Sequence, residues 1–322
     1  MFTHKDIEYR SIFVINCIKE RSLRVSNGEL LLEETEEKKT LTMLPFQKIL
    51  ALFVVGHITV TTPLIEKCKK YGVALIVVKP SFRPVFYWAN SAEANYLLRQ
   101  KQYAMDKNDI TIAKVLIANK IMNQQQLLVN TRKKDPLTEE ALTNCEVCLV
   151  NIQNVSEYSS LMGIEGVASK AFFKAYFHDL GWVARRPRTK SDIVNVALDI
   201  GYTMLFNYIE CFVRMFGFDL YVGVFHRLWF KRKSLICDLM EPFRCIIDRC
   251  VRTAFNRGQF TEKDFALVKG EYKLKLEKNS VYTKVFFDAL VDYKIDVFKY
   301  VQFYYRAFMQ RKSIDHYPKF EV

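Results

Sequence analysis

The fold is decided by the stretch IVNVALDIGYTMLFNYIECFVRMF, residues 193–216. As a helix it carries apolar side chains on most of its faces, so it must lie in the middle of a helical domain rather than on its surface. Ser191 or Asp192 can cap its first turn. The chain then enters GFDLYVGVFHRLWFKRKSLICDLMEPFR, residues 217–244. The sequence therefore predicts a central buried helix that leads into a segment rich in chemically active side chains.

Residues 217–244 combine possible metal ligands with basic side chains. His226 can offer an imidazole nitrogen, and Asp238 and Glu241 can offer carboxylate oxygens. Such ligands suit a divalent cation, while lysine and arginine can neutralise a phosphate backbone. A structural alternative is open, in which the two acids complement a helix start at Pro242 and the histidine is buried. The basic residues of this segment are Arg227, Lys231, Arg232, Lys233 and Arg244.

The composition favours a folded protein with an acidic partner. The chain has 322 residues, and its 50% hydrophobic content argues against disorder. The formal net charge of +13 favours nucleic acid over an anionic membrane surface as the partner. The longest apolar run, residues 49–60, is interrupted and too short to span a membrane. With no secretory signal pattern at the amino terminus, we predict a cytoplasmic protein whose eight cysteines are reduced thiols.

Residues 1–92 have the pattern of a small β-rich domain. Asn27-Gly28 predicts a tight hairpin turn, because these residues accept positive backbone φ angles. Thr62–Tyr71 predicts one helix, with Pro63 at its start and Gly72 after its end. The predicted strands are SIFVINC, SLRVS, ELLLEE, TLTML, ILALFVV, HITVT, VALIVV and PVFYW.

Residues 93–322 change to helix-length apolar periodicity and predict a larger helical domain. A short hairpin is expected within residues 263–277, and the polar tail from residue 311 is expected to fray. The fold class is thus α+β, with the domain boundary near residues 89–93. The predicted helices include Glu93–Ala104, Ile110–Leu128, Leu137–Ile152 and Leu161–Phe177.

Glu165 is the only acid in the segment LMGIEGVASKAFFKAYF, and it lies between two glycines. Glycine costs about 1 kcal/mol relative to alanine inside a helix. Gly163 and Gly166 therefore indicate close approach by backbone, metal or ligand, or close helix packing with the acid in water. The residues alone leave both interpretations open.

A basic loop, GWVARRPRTKSD, precedes the central helix. Its cations and Trp182 suit phosphate contact with some base stacking, although such runs are usually only solvated. The overall charge favours the nucleic-acid interpretation. The cations of this loop are Arg185, Arg186, Arg188 and Lys190.

Four motifs together resemble one family. They are MGIEGVA around Glu165, SDIVNVALDIGY with Asn195 and Tyr202, GVFH with His226, and SLICDLMEPFR from Ser234 to Arg244. In this order and spacing they resemble the CRISPR-associated spacer-acquisition integrases, the Cas protein numbered one. As a set they are much more specific than any one motif.

The resemblance implies a metal site and an activity. It implies that Glu165, His226 and Glu241 bind Mn²⁺ or Mg²⁺. It also implies that Asp238 supports these ligands without being one of the three. In the family, the 3′-hydroxyl of a captured DNA fragment attacks a phosphodiester in the repeat array. The resemblance also implies a homodimer through the β domain and a small companion, the Cas protein numbered two.

One departure from the family lies in RLWFKRK, residues 227–233, where many relatives have a shorter connection that contains glycine. This difference concerns the shape of the loop and its DNA contacts, not the ligand types. Two other functions stay open at this point. One is a structure-selective nuclease that hydrolyses branched DNA, and the other is a DNA-binding scaffold without catalytic activity.

Overall fold

In the computed structural model, seven of the nine strands in the described residues lie before residue 89. The model describes residues 2–17, 21–34, 39–92, 94–132, 135–187 and 189–322. In chain order the strands are β1 (Ser11–Cys17), β2 (Arg21–Ser26), β3 (Glu29–Glu34), β4 (Lys39–Pro45), β5 (Ile49–Gly56), β6 (Ala74–Val78), β7 (Pro84–Trp88), β8 (Phe265–Val268) and β9 (Glu271–Leu274).

Three sheets form from these strands. A four-stranded sheet has the order β1-β5-β6-β7, with β7 antiparallel and the other neighbours parallel. The strands β2, β3 and β4 form an antiparallel meander, and β8 pairs with β9 as a hairpin. That hairpin confirms the expectation for residues 263–277. The region from residue 93 to residue 322 is therefore mainly rather than entirely helical.

The central strand β5 is buried on both faces. Phe53 and Val55 lie in the core shared with the helices, and Leu52 and Val54 lie in a smaller core under the meander. This alternation follows from the two-residue period of a strand. The Phe53 and Phe287 ring centroids are 4.7 Å apart, so the sheet and the helices share one hydrophobic core. The proposed division at residues 89–93 remains a prediction.

The helices occupy most of the chain after residue 95, and the predicted fold class is confirmed. In order they are α1 (His4–Tyr9), α2 (Thr62–Tyr71), α3 (Tyr96–Tyr103), α4 (Thr111–Val129), α5 (Pro136–Asn154), α6 (Tyr158–Phe177), α7 (Ile193–Phe216), α8 (Ser234–Met240), α9 (Arg244–Asn256), α10 (Asn279–Val291) and α11 (Lys294–Met309).

Turn and cap residues predicted from the sequence lie at the observed boundaries of several strands and helices. Asn27 and Gly28 have φ angles of 50° and 83° in the turn between β2 and β3. Helix α2 ends at Gly72, whose φ of 68° is the left-handed conformation that glycine adopts easily. Asp192, rather than Ser191, caps α7 by accepting a hydrogen bond from Asn195 N at 2.7 Å. Residues that accept positive φ angles and one capping side chain therefore mark these boundaries.

Two local predictions were wrong. The segment HITVT is not a strand, because β5 ends at Gly56 and residues 57–60 have no regular structure. The carboxyl-terminal tail does not fray up to its end, because Phe320 is buried against Phe243 with ring centroids 4.4 Å apart. Asn119 of α4 also exchanges two hydrogen bonds with the Phe320 backbone, at 2.7 and 2.8 Å.

Helix α7 is the long apolar element that organises the helical region. Within the described residues it is the one helix long and apolar enough to cross a membrane, but 78% of its most apolar window is buried inside the fold. Gly201 allows this close packing, since an added Cβ would lie 2.5 Å from Ile247 Cγ2. These contacts make α7 the core helix of the fold.

Candidate metal centre and nucleic-acid interface

Glu165 and Glu241 converge on one cation, the ammonium of Lys120. Helix α6 carries Glu165, α4 carries Lys120, and Glu241 follows the last residue of α8. Lys120 Nζ lies 2.5 Å from Glu165 Oε1 and 2.7 Å from Glu241 Oε2. Ser169, one turn after Glu165, also donates to Glu165 Oε1 at 2.8 Å. Two acids far apart in sequence therefore meet at a single position for positive charge.

The cluster keeps its groups ionised. Burial raises the pKa of Glu241, but Arg244 and Lys120, with a contribution from His226, lower it to about 2. Burial likewise opposes ionisation of Glu165, yet Lys120 holds the pKa of that acid below its ordinary value. Although burial lowers the pKa of Lys120, the two glutamates raise it above the usual value. The buried charges thus depend on each other.

Arg244 forms the other side of this cluster. Its Nη2 lies 2.9 Å from Glu241 Oε1, and its guanidinium lies over the Tyr202 ring at 4.6 Å. Tyr202 in turn donates a hydrogen bond to buried Asp248. This contact joins the SDIVNVALDIGY motif to the acid cluster.

His226 is oriented by Asp238. The Asp238 carboxylate lies 2.7 Å from His226 Nδ1 and accepts hydrogen bonds from the backbone N–H groups of Val224, Phe225 and His226 at 2.6, 3.1 and 2.8 Å. A Cβ on Gly223 would collide with this carboxylate and lie 2.9 Å from the Ser234 carbonyl carbon. The GVFH segment therefore wraps around Asp238 and leaves Nε2 as the other ring nitrogen.

The donor types fit a hard divalent cation, although the three predicted ligands do not form one group. Across the described ranges, no three His, Cys, Asp or Glu side chains are arranged to hold a metal ion. Glu241 Oε2 is buried and, apart from its ion pair with Lys120, receives no hydrogen bond from a described residue. Carboxylate oxygens with one imidazole suit Mn²⁺ or Mg²⁺. Binding would require the ammonium to move aside.

The glycines beside Glu165 lie on an open surface. A Cβ on Gly163 or Gly166 would meet no described atom within 4 Å. Close helix packing is therefore not the reason for these glycines, and this interpretation was wrong. The space at these two glycines, beside Glu165, is open to an external ligand.

The basic loop before α7 is organised by Asn195. This fully buried amide accepts from Arg185 Nη1 at 2.8 Å and from Arg186 N at 3.1 Å, and it donates to Ala184 O at 2.8 Å. Arg185 also pairs with Asp199 at 2.6 Å. Arg185 therefore serves inside the loop, whereas Arg186 is exposed. Arg188 lies outside the described residues.

The cations after His226 also divide into side chains that bond within the protein and side chains that are exposed. Lys233 pairs with both carboxylate oxygens of buried Glu210, each at 2.7 Å. Arg232 donates to Arg227 O at 2.5 Å, so both side chains hold the loop. Arg227 and Lys231 are exposed, and Lys190 is half-buried 3.5 Å from Glu271. Arg185, Lys233 and Arg244 are thus engaged in internal ion pairs and are poor candidates for free phosphate contact.

Sequence reasoning missed Lys120 as the centre of the cluster. Its signal is ANKIMNQ, where Asn119, Lys120 and Asn123 interrupt an apolar helix. Asn123 donates to Pro242 O at 3.0 Å and so ties α4 to the residue after Glu241. Polar residues inside an apolar helix indicate buried partners, but the sequence does not identify those partners.

Comparison with solved structures defines the class of fold. The fold resembles a casposase bound to integration product, with a TM-score of 0.77, 18% identity, and coverage of 97% of this chain and 94% of that chain. It also resembles a chain in a Cas6-RT-Cas1–Cas2 complex, with a TM-score of 0.79, 19% identity, and coverage of 97% and 36%. The protein therefore has the fold shared by these two structures, a β-rich region followed by a helical region.

Sequence comparison identifies the family. The model described as CRISPR associated protein Cas1 matches residues 17–287. The chain is 30% identical over 233 residues to CRISPR-associated endonuclease Cas1 1 from Thermodesulfovibrio yellowstonii, covering 69% of this chain and 73% of that protein. The chain belongs to the Cas1 family, which confirms the resemblance carried by the four motifs.

Proposed function

We propose that the protein is a divalent-metal-dependent DNA integrase that inserts captured DNA fragments into a CRISPR repeat array. The convergence of Glu165 and Glu241 on one cation position is the observation that carries this proposal. His226 is near enough to contribute to lowering the pKa of Glu241. The relative named as an endonuclease and the fold shared with a casposase bound to integration product support the proposal. In this reaction a fragment's 3′-hydroxyl oxygen bonds to a target phosphorus as that phosphorus loses its former 3′-oxygen.

Each residue of the cluster has a distinct part in this proposal. Glu165 and Glu241 would hold Mg²⁺ or Mn²⁺, with His226 Nε2 as a third donor, and Asp238 would keep the imidazole in place. When bound, the ion would polarise the phosphate and stabilise charge on the entering or leaving oxygen. Arg244 would keep Glu241 ionised at its other oxygen. Catalysis would thus rest on positioned charge rather than on a covalent enzyme intermediate.

The path of the DNA is proposed from the exposed or half-buried cations on both sides of α7. Arg186 and Lys190 lie before this helix, and Arg227 and Lys231 lie after it. Their charges would contact phosphates of the fragment and the repeat and would make binding salt-dependent. A cytoplasmic location agrees with such a partner.

A homodimer and a small companion protein complete the proposal. Two edge strands carry exposed apolar side chains that suit pairing with another chain: Leu41 and Met43 on β4, and Val85 and Phe86 on β7. The structurally similar chain in the Cas6-RT-Cas1–Cas2 complex supports Cas2 as the companion. Molar mass by light scattering, with and without Cas2, tests both assemblies.

A strand-transfer assay tests the activity. A duplex with free 3′-hydroxyl ends and a repeat-containing plasmid should give joined products in Mn²⁺, and Glu165→Ala, His226→Ala and Glu241→Ala should each lower the rate at least about 100-fold. Glu140→Ala is the matched control, since this exposed acid is only loosely paired with Lys174 at 3.9 Å. Circular dichroism checks that the variants fold.

The products separate the alternatives. A structure-selective nuclease would cleave branched DNA without joining ends. A scaffold would bind DNA equally with and without chelator and give no metal-dependent product. Full Mn²⁺-dependent joining by His226→Ala would remove His226 from the proposed site.

A further inference from the structure

Helix α8 supports two residues of the proposed site, although it is only seven residues long. Asp238 lies in this helix, and Glu241 follows its last residue. A helix of this length is unstable by itself, so its position depends on contacts with the rest of the fold. Among the described residues, no side chain caps its first turn. A contact other than a cap must therefore fix the start of α8.

Lys233, the residue directly before α8, is paired with a buried acid of α7. Its ammonium lies 2.7 Å from each carboxylate oxygen of Glu210, which is fully buried. Arg214, one turn further along α7, also lies 2.7 Å from Glu210 Oε1. A buried carboxylate is costly unless it is paired, and each of these cations supplies a countercharge. The start of α8 is thus tied to the core helix.

Tyr87 of strand β7 contacts both cations. The centroid of its ring lies 4.7 Å from the Arg214 guanidinium and 5.6 Å from the Lys233 ammonium. The face of an aromatic ring attracts cations, so the ring offsets the excess positive charge of two cations on one acid. The four-stranded sheet therefore reaches the start of α8 through this ring. We call Tyr87, Glu210, Arg214 and Lys233 the α8 anchor.

The rest of α8 holds the segment that carries His226. Asp238 accepts hydrogen bonds from the backbone N–H groups of residues 224–226 and contacts the His226 ring. Leu235 N, in the first turn of α8, donates to Leu220 O at 3.0 Å. A shift of α8 along its axis would therefore move Asp238 and the backbone that carries His226 together.

Hydrophobic packing holds α8 against the core, but it does not by itself fix the position of the helix. Leu235, Ile236, Leu239 and Met240 are buried. Burial of apolar side chains is non-directional, whereas a charge-assisted hydrogen bond has a defined length and direction. Displacement of a reacting group by about 1 Å can lower a rate about 100-fold. The directional contacts of the anchor can set the position of α8 on this scale.

We propose that the α8 anchor positions Asp238 and Glu241, and through Asp238 the His226 ring, for the joining reaction. Glu210 and Lys233 are then positioning residues that act through α8 rather than on the metal or the DNA. The role in joining rests on the proposed function, whereas the anchor itself rests on the contacts between α7, α8 and β7.

Lys233→Met tests this proposal, because it removes the ammonium while Arg214 still neutralises Glu210. In the strand-transfer assay, kcat should fall at least about tenfold, while the DNA concentration at half-saturation should stay within about twofold. Hydrogen exchange of the amides of residues 224–226 should become about tenfold faster, since Asp238 protects them. Lys233→Arg should restore most of both properties, because a guanidinium can bond to the same carboxylate.

Lys278→Met is the matched control. Lys278 lies 3.0 Å from Asp264, whose side chain is 5% exposed, so this variant also removes an ammonium from a nearly buried acid. Asp264 keeps a hydrogen bond from Thr261 N at 2.9 Å. The control should lose about as much stability as Lys233→Met, but it should keep the full kcat and the slow exchange of the same three amides.

Glu210→Gln separates positioning from phosphate contact. It leaves two cations without a carboxylate, so it should lower kcat as Lys233→Met does. If Lys233 instead contacted DNA phosphates, removing the acid beside it would tighten DNA binding. Lys233→Met would then raise the DNA concentration at half-saturation and leave kcat unchanged.

Tyr87→Leu tests the contribution of the sheet. It should lower kcat by a smaller factor, about threefold, because it removes only the ring. Combined with Lys233→Met it should add little, since both changes act on the same anchor. Fully additive effects of the two substitutions would remove Tyr87 from the anchor.

Three results would overturn the positioning role. They are an unchanged kcat in Lys233→Met, weaker DNA binding in that variant without a loss of kcat, or an equal loss of kcat in Lys278→Met. If amide exchange in Lys233→Met becomes faster but the unchanged protein never joins DNA, the anchor stands and the proposed function fails. If the unchanged protein joins DNA and Lys233→Met joins it at the full rate, only the positioning role fails.

Discussion

The acid cluster of Lys120, Glu165 and Glu241 and the exposed rings of Trp229 and Phe230, which we call the aromatic tip, satisfy opposite physical conditions. In the cluster, Lys120 and Glu241 are buried and paired, each within 3 Å of an opposite charge. At the tip, Trp229 and Phe230 stand in solvent beside cations without a nearby acid in the sequence. One region is complete within the folded chain, and the other has its binding groups directed outward.

This difference separates what folding requires from what a partner requires. Removing a buried charge from its partner is costly, so we expect the cluster to contribute to the stability of the fold. An exposed aromatic turn contributes little to folding, so its structure is better explained by binding. Substitutions in the two regions should therefore affect stability very differently.

The largest effect is expected at Lys120. Lys120→Met would leave Glu165 without its cation and Glu241 with Arg244 alone, and it should lower the free energy of unfolding by about 3 kcal/mol. Mn²⁺ should restore part of this loss, because a bound cation would replace the ammonium. Urea unfolding with and without Mn²⁺ measures both effects.

Lys170→Met is the control for that measurement, because Lys170 is exposed on the same helix as Glu165. It should leave the unfolding midpoint unchanged. Equal stability of Lys120→Met and the unchanged protein, with equal gains from Mn²⁺, would show that Lys120 is not the countercharge of the acids.

A pH-dependent effect of about 2 kcal/mol is expected at Asp248. Burial raises the pKa of its carboxyl from 3.8 to about 7, against the opposing effects of Tyr202 and Arg244. Between these values the folded state holds more protons than the unfolded state, so this contribution to stability is lost as the pH rises through about 7. Asp248→Asn cannot ionise and should gain stability relative to the unchanged protein between pH 4 and 7.

Thermal unfolding from pH 4 to 8 tests this difference, with Asp315→Asn on the exposed tail as the control. A constant difference between Asp248→Asn and the unchanged protein over this range would contradict the buried, protonated carboxyl.

A smaller loss, about 1–2 kcal/mol, is expected for Gly223→Ala. The added methyl group would press on the Asp238 carboxylate and disturb the support of His226, so joining activity should fall as well. Gly163→Ala is the matched control: it adds a methyl group in open space inside α6 and should raise stability by up to about 1 kcal/mol. Equal unfolding midpoints for the two variants would refute this account of the GVFH segment.

The smallest effect on stability is expected at the aromatic tip. Trp229→Ser should change the free energy of unfolding by no more than about 0.5 kcal/mol, because the indole makes little contact with the fold. Chemical denaturation measures this change. A loss comparable to that of Lys120→Met would mean that the tip is part of the folding core, and the contrast between the two regions would disappear.

Local features of the fold could be predicted because their causes lie within a few residues. Asn27-Gly28 determines its turn, Asp192 caps α7, and the apolar sequence of α7 requires burial. HITVT was mispredicted because its β-branched pattern competes with a strand end at Gly56 that the pattern does not encode. The tail was mispredicted because its order comes from Asn119, two hundred residues away in the chain.

The sequence by itself determined the β-rich and helical regions, the basic charge and the motifs of the Cas1 family, because these depend on composition and short-range spacing. Only the tertiary structure decided that Lys120 stands between Glu165 and Glu241, that Arg185 and Arg244 turn inward, and that Trp229 faces solvent. The physical reason is that the pairing and exposure of a side chain depend on which helices pack together, and no local pattern contains that information.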